Sequence, residues 1–327
     1  MTDAPAPAPA AEFAPGPDTG SIPPFFRPEE RAVLPERARS FIGLTYGVVE
    51  GYRHLLLDVH VPEAAPGPVP LVVWMHGGAW LFGVRDLLPL EWPANLIIQS
   101  ALDAGMAIAT IDYRHSREAA FPAQLHDAKA AIRYLRHFAP ELGVDPSRIA
   151  VWGESAGGHL AALVALVHEQ ELEGSVGVTG VSSRISAAVC FYPVTDVDAL
   201  PPMSDALPVH VREMIVASGQ PLPPEPVDIL LEHSPYPREE ARRLLSPVSH
   251  VTAEAPPFLL VHGEADRLVP MEQSRRLNSL LTEAGAEVTL VTVPGADHVF
   301  AGTDPRPQAE RAVRFLREQL GLPTEAL

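Results

Sequence analysis

Residues Gly153-Glu154-Ser155-Ala156-Gly157-Gly158 lie between the apolar run Arg148–Trp152 and the apolar run His159–Val167. The first run has the length of a buried strand and the second that of a buried helix. A strand that turns straight into a helix holds the residue at the apex in a strained backbone conformation. Glycines at 153 and 157 let the neighbouring backbone pass without a Cβ clash. Ser155 is thereby pushed into the open, the setting of a nucleophilic serine.

A lone Gly-x-Ser-x-Gly carries little weight, but two further features stand beside it. His76-Gly77-Gly78-Ala79-Trp80 follows the apolar run Pro70–Met75 and is expected to offer backbone N–H groups at the carboxyl end of a strand. An acid and a base then follow in order. Pro257–His262 reads as a buried strand and Gly263–Pro270 as the loop leaving it, which puts Asp266 at the rim of a sheet. Glu287–Val293 reads as the last strand, and the turn Pro294–Asp297 delivers His298 to the same rim.

Early strands near Leu44–Val49 and His54–Val61 alternate and suit an antiparallel hairpin at a sheet edge. Val69–Met75, Ala107–Ile111, Ile149–Trp152, Ala187–Phe191, Phe258–Val261 and Val288–Val293 suit central parallel strands covered on both faces. Helical patterns fall at Glu91–Ala104, Ala123–Phe138, Gly158–Glu169, Met271–Ala284 and Gln308–Leu320. The class is α/β, a mostly parallel central sheet flanked by helices, with its ligand site at the strand carboxyl ends. The Ala/Pro-rich stretch over residues 1–21 is expected to be a disordered tail, leaving 22–327 as one catalytic domain. The proline-rich interval at about 198–245, with helical pieces Val209–Ala217 and Arg238–Leu245, is expected to form a cap or lid over the rim.

The formal charge of −17 opposes nucleic acid or an anionic membrane as a partner. No run approaches about 18 apolar residues, the length of a membrane span, and the N-terminus lacks the signature of a secretory signal. With the single cysteine, Cys190, placed in a buried strand, the cytoplasm is the expected location, and a monomer or homodimer the expected state. No metal-ligand or phosphate-loop spacing is present, so no cofactor and no metal is expected.

Taken together, these residues resemble the α/β-hydrolase superfamily, and within it the serine carboxylesterases of the hormone-sensitive-lipase and feruloyl-esterase-like bacterial group. The chain order Ser155, Asp266, His298 is that superfamily's order, and Asp112-Tyr113-Arg114, Tyr192–Asp196 and His262-Gly263-x-x-Asp266 add to the match. Where the lipase-like members carry His-Gly-Gly-Gly, this chain has Ala79 and Trp80 after two glycines, closer to the branch of feruloyl-esterase-like enzymes and kynurenine formamidases.

The resemblance implies hydrolysis of small to medium carboxylic esters. Ser155 would be the nucleophile, His298 the base and Asp266 its orienting acid, while N–H groups of Ala156, Gly78 and Ala79 would receive the oxyanion. Which two amides among Gly77, Gly78 and Ala79 point inward is open. Trp80 and Phe82 are candidate pocket residues. Asp196 is the rival acid, since Asp112 and Asp127 precede the serine; His76 reads as a loop brace, His159 as a helix-surface or packing residue, and Lys129 as mid-helix. An amidase or formamidase, an acyltransferase or cyclase, and a non-hydrolytic small-molecule binder share the scaffold.

Overall fold

A computed structural model describes residues 34–51, 53–206, 209–218, 222 and 224–323. The expected tail over residues 1–21 lies outside the described residues, as do Pro208, Pro221 and Pro223 of the proline-rich interval.

Among the described residues, eight strands form one sheet in the order β1-β2-β4-β3-β5-β6-β7-β8. β1 (Ala38–Gly47) pairs antiparallel with β2 (Leu55–Pro62), and β2 pairs antiparallel with β4 (Ala107–Ile111). The remaining pairings, among β3 (Val69–Met75), β4, β5 (Val144–Glu154), β6 (Ala188–Phe191), β7 (Phe258–Gly263) and β8 (Val288–Val293), are parallel. Their carboxyl ends therefore share one edge. β3 and β6 are buried along their whole length because helices cover both faces, and continuous apolar runs are what such strands require.

One face carries α1 (Leu96–Asp103) and α9 (Arg306–Gln319), whose Ile97, Ala101, Ala312 and Leu316 pack with Trp74, Trp152 and Phe191. The other carries α2 (Ala123–His137), α4 (Ala156–Leu166) and α8 (Glu272–Glu283), packed against Val73, Val151 and Leu260. A four-residue α3 (Ala139–Leu142) links α2 to β5. Residues Val33–Leu327 cluster as one compact unit. Among the described residues no helix is long and apolar enough to cross a membrane.

Several boundaries differ from the sequence reading, each for a local reason. β1 starts at Ala38 rather than Leu44 because its register shifts between Phe41 and Leu44, around Gly43 at φ 70°, and the shift breaks the alternation. α1 starts at Leu96 rather than Glu91, after Pro93 and the left-handed Asn95 at φ 59°. α4 begins at Ala156, directly after the serine, and ends at Leu166, where Val167 turns extended and its carbonyl accepts the buried Lys129 Nζ at 2.9 Å.

The proline-rich interval holds α5 (Val209–Ala217), α6 (Pro226–Leu231) and α7 (Arg238–Leu245). Its second half is part of the body. Leu230, Ala241 and Leu245 are fully buried, and the Phe121 N–H donates to the Leu230 carbonyl at 2.9 Å. Among the described residues of the interval, α5 turns large apolar side chains outward, with Met214 and Val216 exposed.

Candidate active site

Ser155 sits between the end of β5 and the start of α4 with φ 53° and ψ −118°, a region a residue with a Cβ enters only under constraint. The constraint is the close passage of neighbouring backbone. A Cβ at Gly153 would lie 2.2 Å from the Gly157 carbonyl oxygen, and one at Gly157 2.0 Å from that of Met75. Ser155 N–H is spent on the Phe191 carbonyl at 2.9 Å, whereas Ala156 opens the helix, where the first N–H groups lack an intrahelical partner.

The loops after β7 and β8 reach back over β6 to meet the serine. His298 Nε2 stands 3.0 Å from Ser155 Oγ, and His298 Nδ1 stands 2.8 Å from Asp266 Oδ2. Since a carboxylate can only accept, Nδ1 carries the proton and Nε2 is left to accept from the serine hydroxyl. The other carboxylate oxygen, Oδ1, accepts the N–H groups of Leu268 and Val269 at 3.0 and 2.8 Å. Burial alone would raise the Asp266 carboxyl. Hydrogen bonding from His262, whose Nε2 is 3.4 Å away, and from His298 and Val269 outweighs it and holds the group well below the usual carboxylate range.

His298 is fixed by its own turn. Its N–H donates to Asp297 Oδ1 at 2.8 Å, the next two residues are left-handed at φ 57° and 59°, and Trp92 Nε1 donates to the Val299 carbonyl at 2.8 Å. Trp92 also stacks on Phe300 with centroids 6.0 Å apart. Beneath the imidazole, Tyr192 presents its ring edge-on at 4.8 Å.

The loop after β3 holds the other expected residues. Gly77 N–H donates to Glu154 Oε1 at 2.5 Å, while among the described residues the N–H groups of Gly78 and Ala79 have no hydrogen-bond partner. His76 is buried, stacks on Tyr113 at 4.3 Å and donates from Nδ1 to the Gly77 carbonyl at 2.7 Å; burial lowers it to about 3. It braces the loop and stands outside the Ser155–His298–Asp266 chain.

Trp80 is buried and its indole N–H donates to His159 Nδ1 at 3.1 Å, while His159 Nε2 donates to the Leu245 carbonyl at 2.7 Å. His159 is thus an interior joint between α4 and α7 rather than a helix-surface residue, and burial lowers it to about 4. Phe82 is partly exposed and lies against Gly78, where a Cβ would come within 3.1 Å of its ring.

The rival acids are engaged elsewhere. Asp196 pairs with Arg276, Asp127 receives Arg114 through two bonds of 2.7 and 2.8 Å, and Asp112 accepts from Arg85 at 3.2 Å. Cys190 is buried in β6 and its thiol is pushed up by burial. Glu154 escaped the sequence reading. The available signal was a carboxylate at the end of an apolar strand, which must find a partner if it is buried.

The BD-FAE family profile matches residues 57–281. The esterase LipQ of Mycobacterium tuberculosis is 32% identical over 254 residues, 76% of this chain and 55% of LipQ, so the chain spans about half the length of that relative. Among solved structures, a truncated carbohydrate esterase from gut microbiota has 27% identity and a TM-score of 0.71, covering 86% of this chain and 96% of its own. Esterase 2 of Thermogutta terrifontis, phosphorylated by paraoxon, has 25% identity and a TM-score of 0.67, covering 89% and 97%. By profile match, sheet order and structural likeness, the chain belongs to the BD-FAE family, within the α/β-hydrolase superfamily.

Proposed function

We propose that this chain is a serine carboxylesterase acting on small to medium esters through an acyl-enzyme. The observation that carries the reading is the continuous hydrogen-bond chain Ser155–His298–Asp266, set on a strained turn at the carboxyl edge of the sheet. A serine hydroxyl is a weak nucleophile until a base lies within hydrogen-bond reach. His298 Nε2 takes the Ser155 proton as Oγ adds to the ester carbonyl, and Asp266 holds the imidazolium that forms. The oxyanion falls to the Ala156 N–H and to those of Gly78 and Ala79, since Gly77 has spent its own on Glu154. His298 then protonates the leaving alcohol, and water repeats the sequence to free the acid.

The relatives support the esterase class: LipQ and the Thermogutta enzyme are both named esterases, and the latter is phosphorylated by paraoxon. Phe82 beside Gly78 is the side chain we assign to the edge of the pocket, and α5 is the part of the proline-rich interval that we assign to a cap. Hydrolysis of p-nitrophenyl esters from acetate to palmitate tests the substrate range. A short-chain optimum is expected; no turnover on any ester, with turnover of aryl formamides, would replace esterase by formamidase.

A further inference from the structure

Glu154 occupies the position before the nucleophile, is only 6% exposed, and ends β5 with its carboxylate turned toward the loop after β3. Both carboxylate oxygens crowd the Gly77 Cα: a Cβ there would lie 2.1 Å from Oε1 and 2.7 Å from Oε2. Burying a carboxylate costs several kcal/mol unless hydrogen bonds or counter-charge offset it. It accepts a hydrogen bond from the Gly77 N–H at 2.5 Å, and the charge of His298, when that ring is protonated, opposes the rise that burial imposes on the carboxyl.

Resting on the esterase reading, we infer that Glu154 is a positioning residue with two linked tasks. By taking the Gly77 N–H it sets the loop so that the next two amides face the reacting carbonyl. By its charge it stabilises the imidazolium formed while His298 holds the Ser155 proton. The Gly77 N–H is directed at the carboxylate, so that the charge is partly satisfied on the loop side and left to act on the histidine.

The ionisable groups that interact with this carboxylate follow three strands. They are Tyr113 after β4, Tyr192 after β6 and His298 after β8. The Tyr192 hydroxyl falls outside hydrogen-bond geometry yet lies near enough to favour the carboxylate. Burial raises the Glu154 carboxyl, and His298, Gly77 and Tyr192 oppose that rise.

Three variants of the full chain separate the tasks. Glu154→Gln keeps a carbonyl for Gly77 and removes the charge; Glu154→Ala removes both; Gly77→Ala leaves the charge and displaces the loop. Turnover of p-nitrophenyl acetate is measured from pH 5 to 9, with a fluorophosphonate titration to count reactive Ser155. Glu154→Gln is expected to lower kcat about tenfold with KM within twofold, and to move the acid limb of kcat/KM about half a unit to lower pH, since the imidazolium has lost a counter-charge. Glu154→Ala is expected to lose about 100-fold in kcat. Gly77→Ala is expected to lose kcat with the acid limb unmoved.

An acid limb unmoved in Glu154→Gln, or moved to higher pH, overturns the electrostatic task. Turnover within twofold of the parent in both glutamate variants overturns the proposal as a whole. Should Glu154→Ala fail to fold, Glu154→Gln carries the test through the direction of its acid limb. A parent protein with no ester turnover would instead refute the esterase reading on which the inference rests.

Discussion

Ser155 illustrates how one side chain is prepared by its surroundings. Its positive φ is imposed by the passage of Gly153 and Gly157 against neighbouring backbone, and its partner His298 is held by a second left-handed turn. Asp266 completes the chain through hydrogen bonds to both oxygens, which suits the orienting role proposed for it. Asp266→Asn presents an amide to Nδ1 and invites the wrong tautomer. It is expected to cut kcat about 10³- to 10⁴-fold with little change in KM, which steady-state kinetics on a p-nitrophenyl ester will check. Ser155, Asp266 and His298 were legible because each follows an apolar strand and carries its chemistry at that strand's end. Glu154 was not, because its partner Gly77 lies 77 residues away and the motif treats its position as a spacer.

At the scale of elements, the junction between β5 and α4 joins the fold to the chemistry. A methyl group on Gly157 would meet the Met75 carbonyl oxygen at 2.0 Å and that of His76 at 2.4 Å, so β3 and the elbow cannot both keep their places. Gly157→Ala is expected to destabilise by about 3 kcal/mol or more, read as a fall in the urea midpoint; a midpoint equal to the parent's would show that the elbow has slack. Central strands and most helices were readable because continuous apolar runs and helical periodicity survive in the sequence. The exceptions are instructive. α6 hid behind Pro226, which looks like a breaker yet stands at the first helical position, where no N–H is needed. The joint between Trp80, His159 and Leu245 links three distant segments, and no local pattern announces it.

For the molecule as a whole, buried neutral histidines, His76 and His159 among them, tie its stability to pH. His76 and His159 are lowered to about 3 and about 4 by burial, and the Trp80 and Leu245 partners fix His159 as neutral. In the unfolded chain each titrates near the ordinary value of about 6.5. Above that pH neither state binds the proton, and stability is level. As pH falls below it the unfolded chain takes up protons that the native state refuses, and stability drops by up to about 1.4 kcal/mol per pH unit for each ring, down to its folded value. Asp266 acts in the same direction but only below about pH 4, where its unfolded counterpart begins to protonate. Urea midpoints are therefore expected to fall between pH 6 and 4, and His159→Gln to flatten that slope; a midpoint constant across this range would contradict the neutral-histidine assignment.

The most direct test of the nucleophile is covalent. A fluorophosphonate should add one equivalent to the parent chain and place the mass on the peptide bearing Ser155, while Ser155→Ala should remain unlabelled and lose at least about 10³-fold in ester turnover. Labelling at another residue, or turnover that survives in Ser155→Ala within tenfold of the parent, would contradict the account.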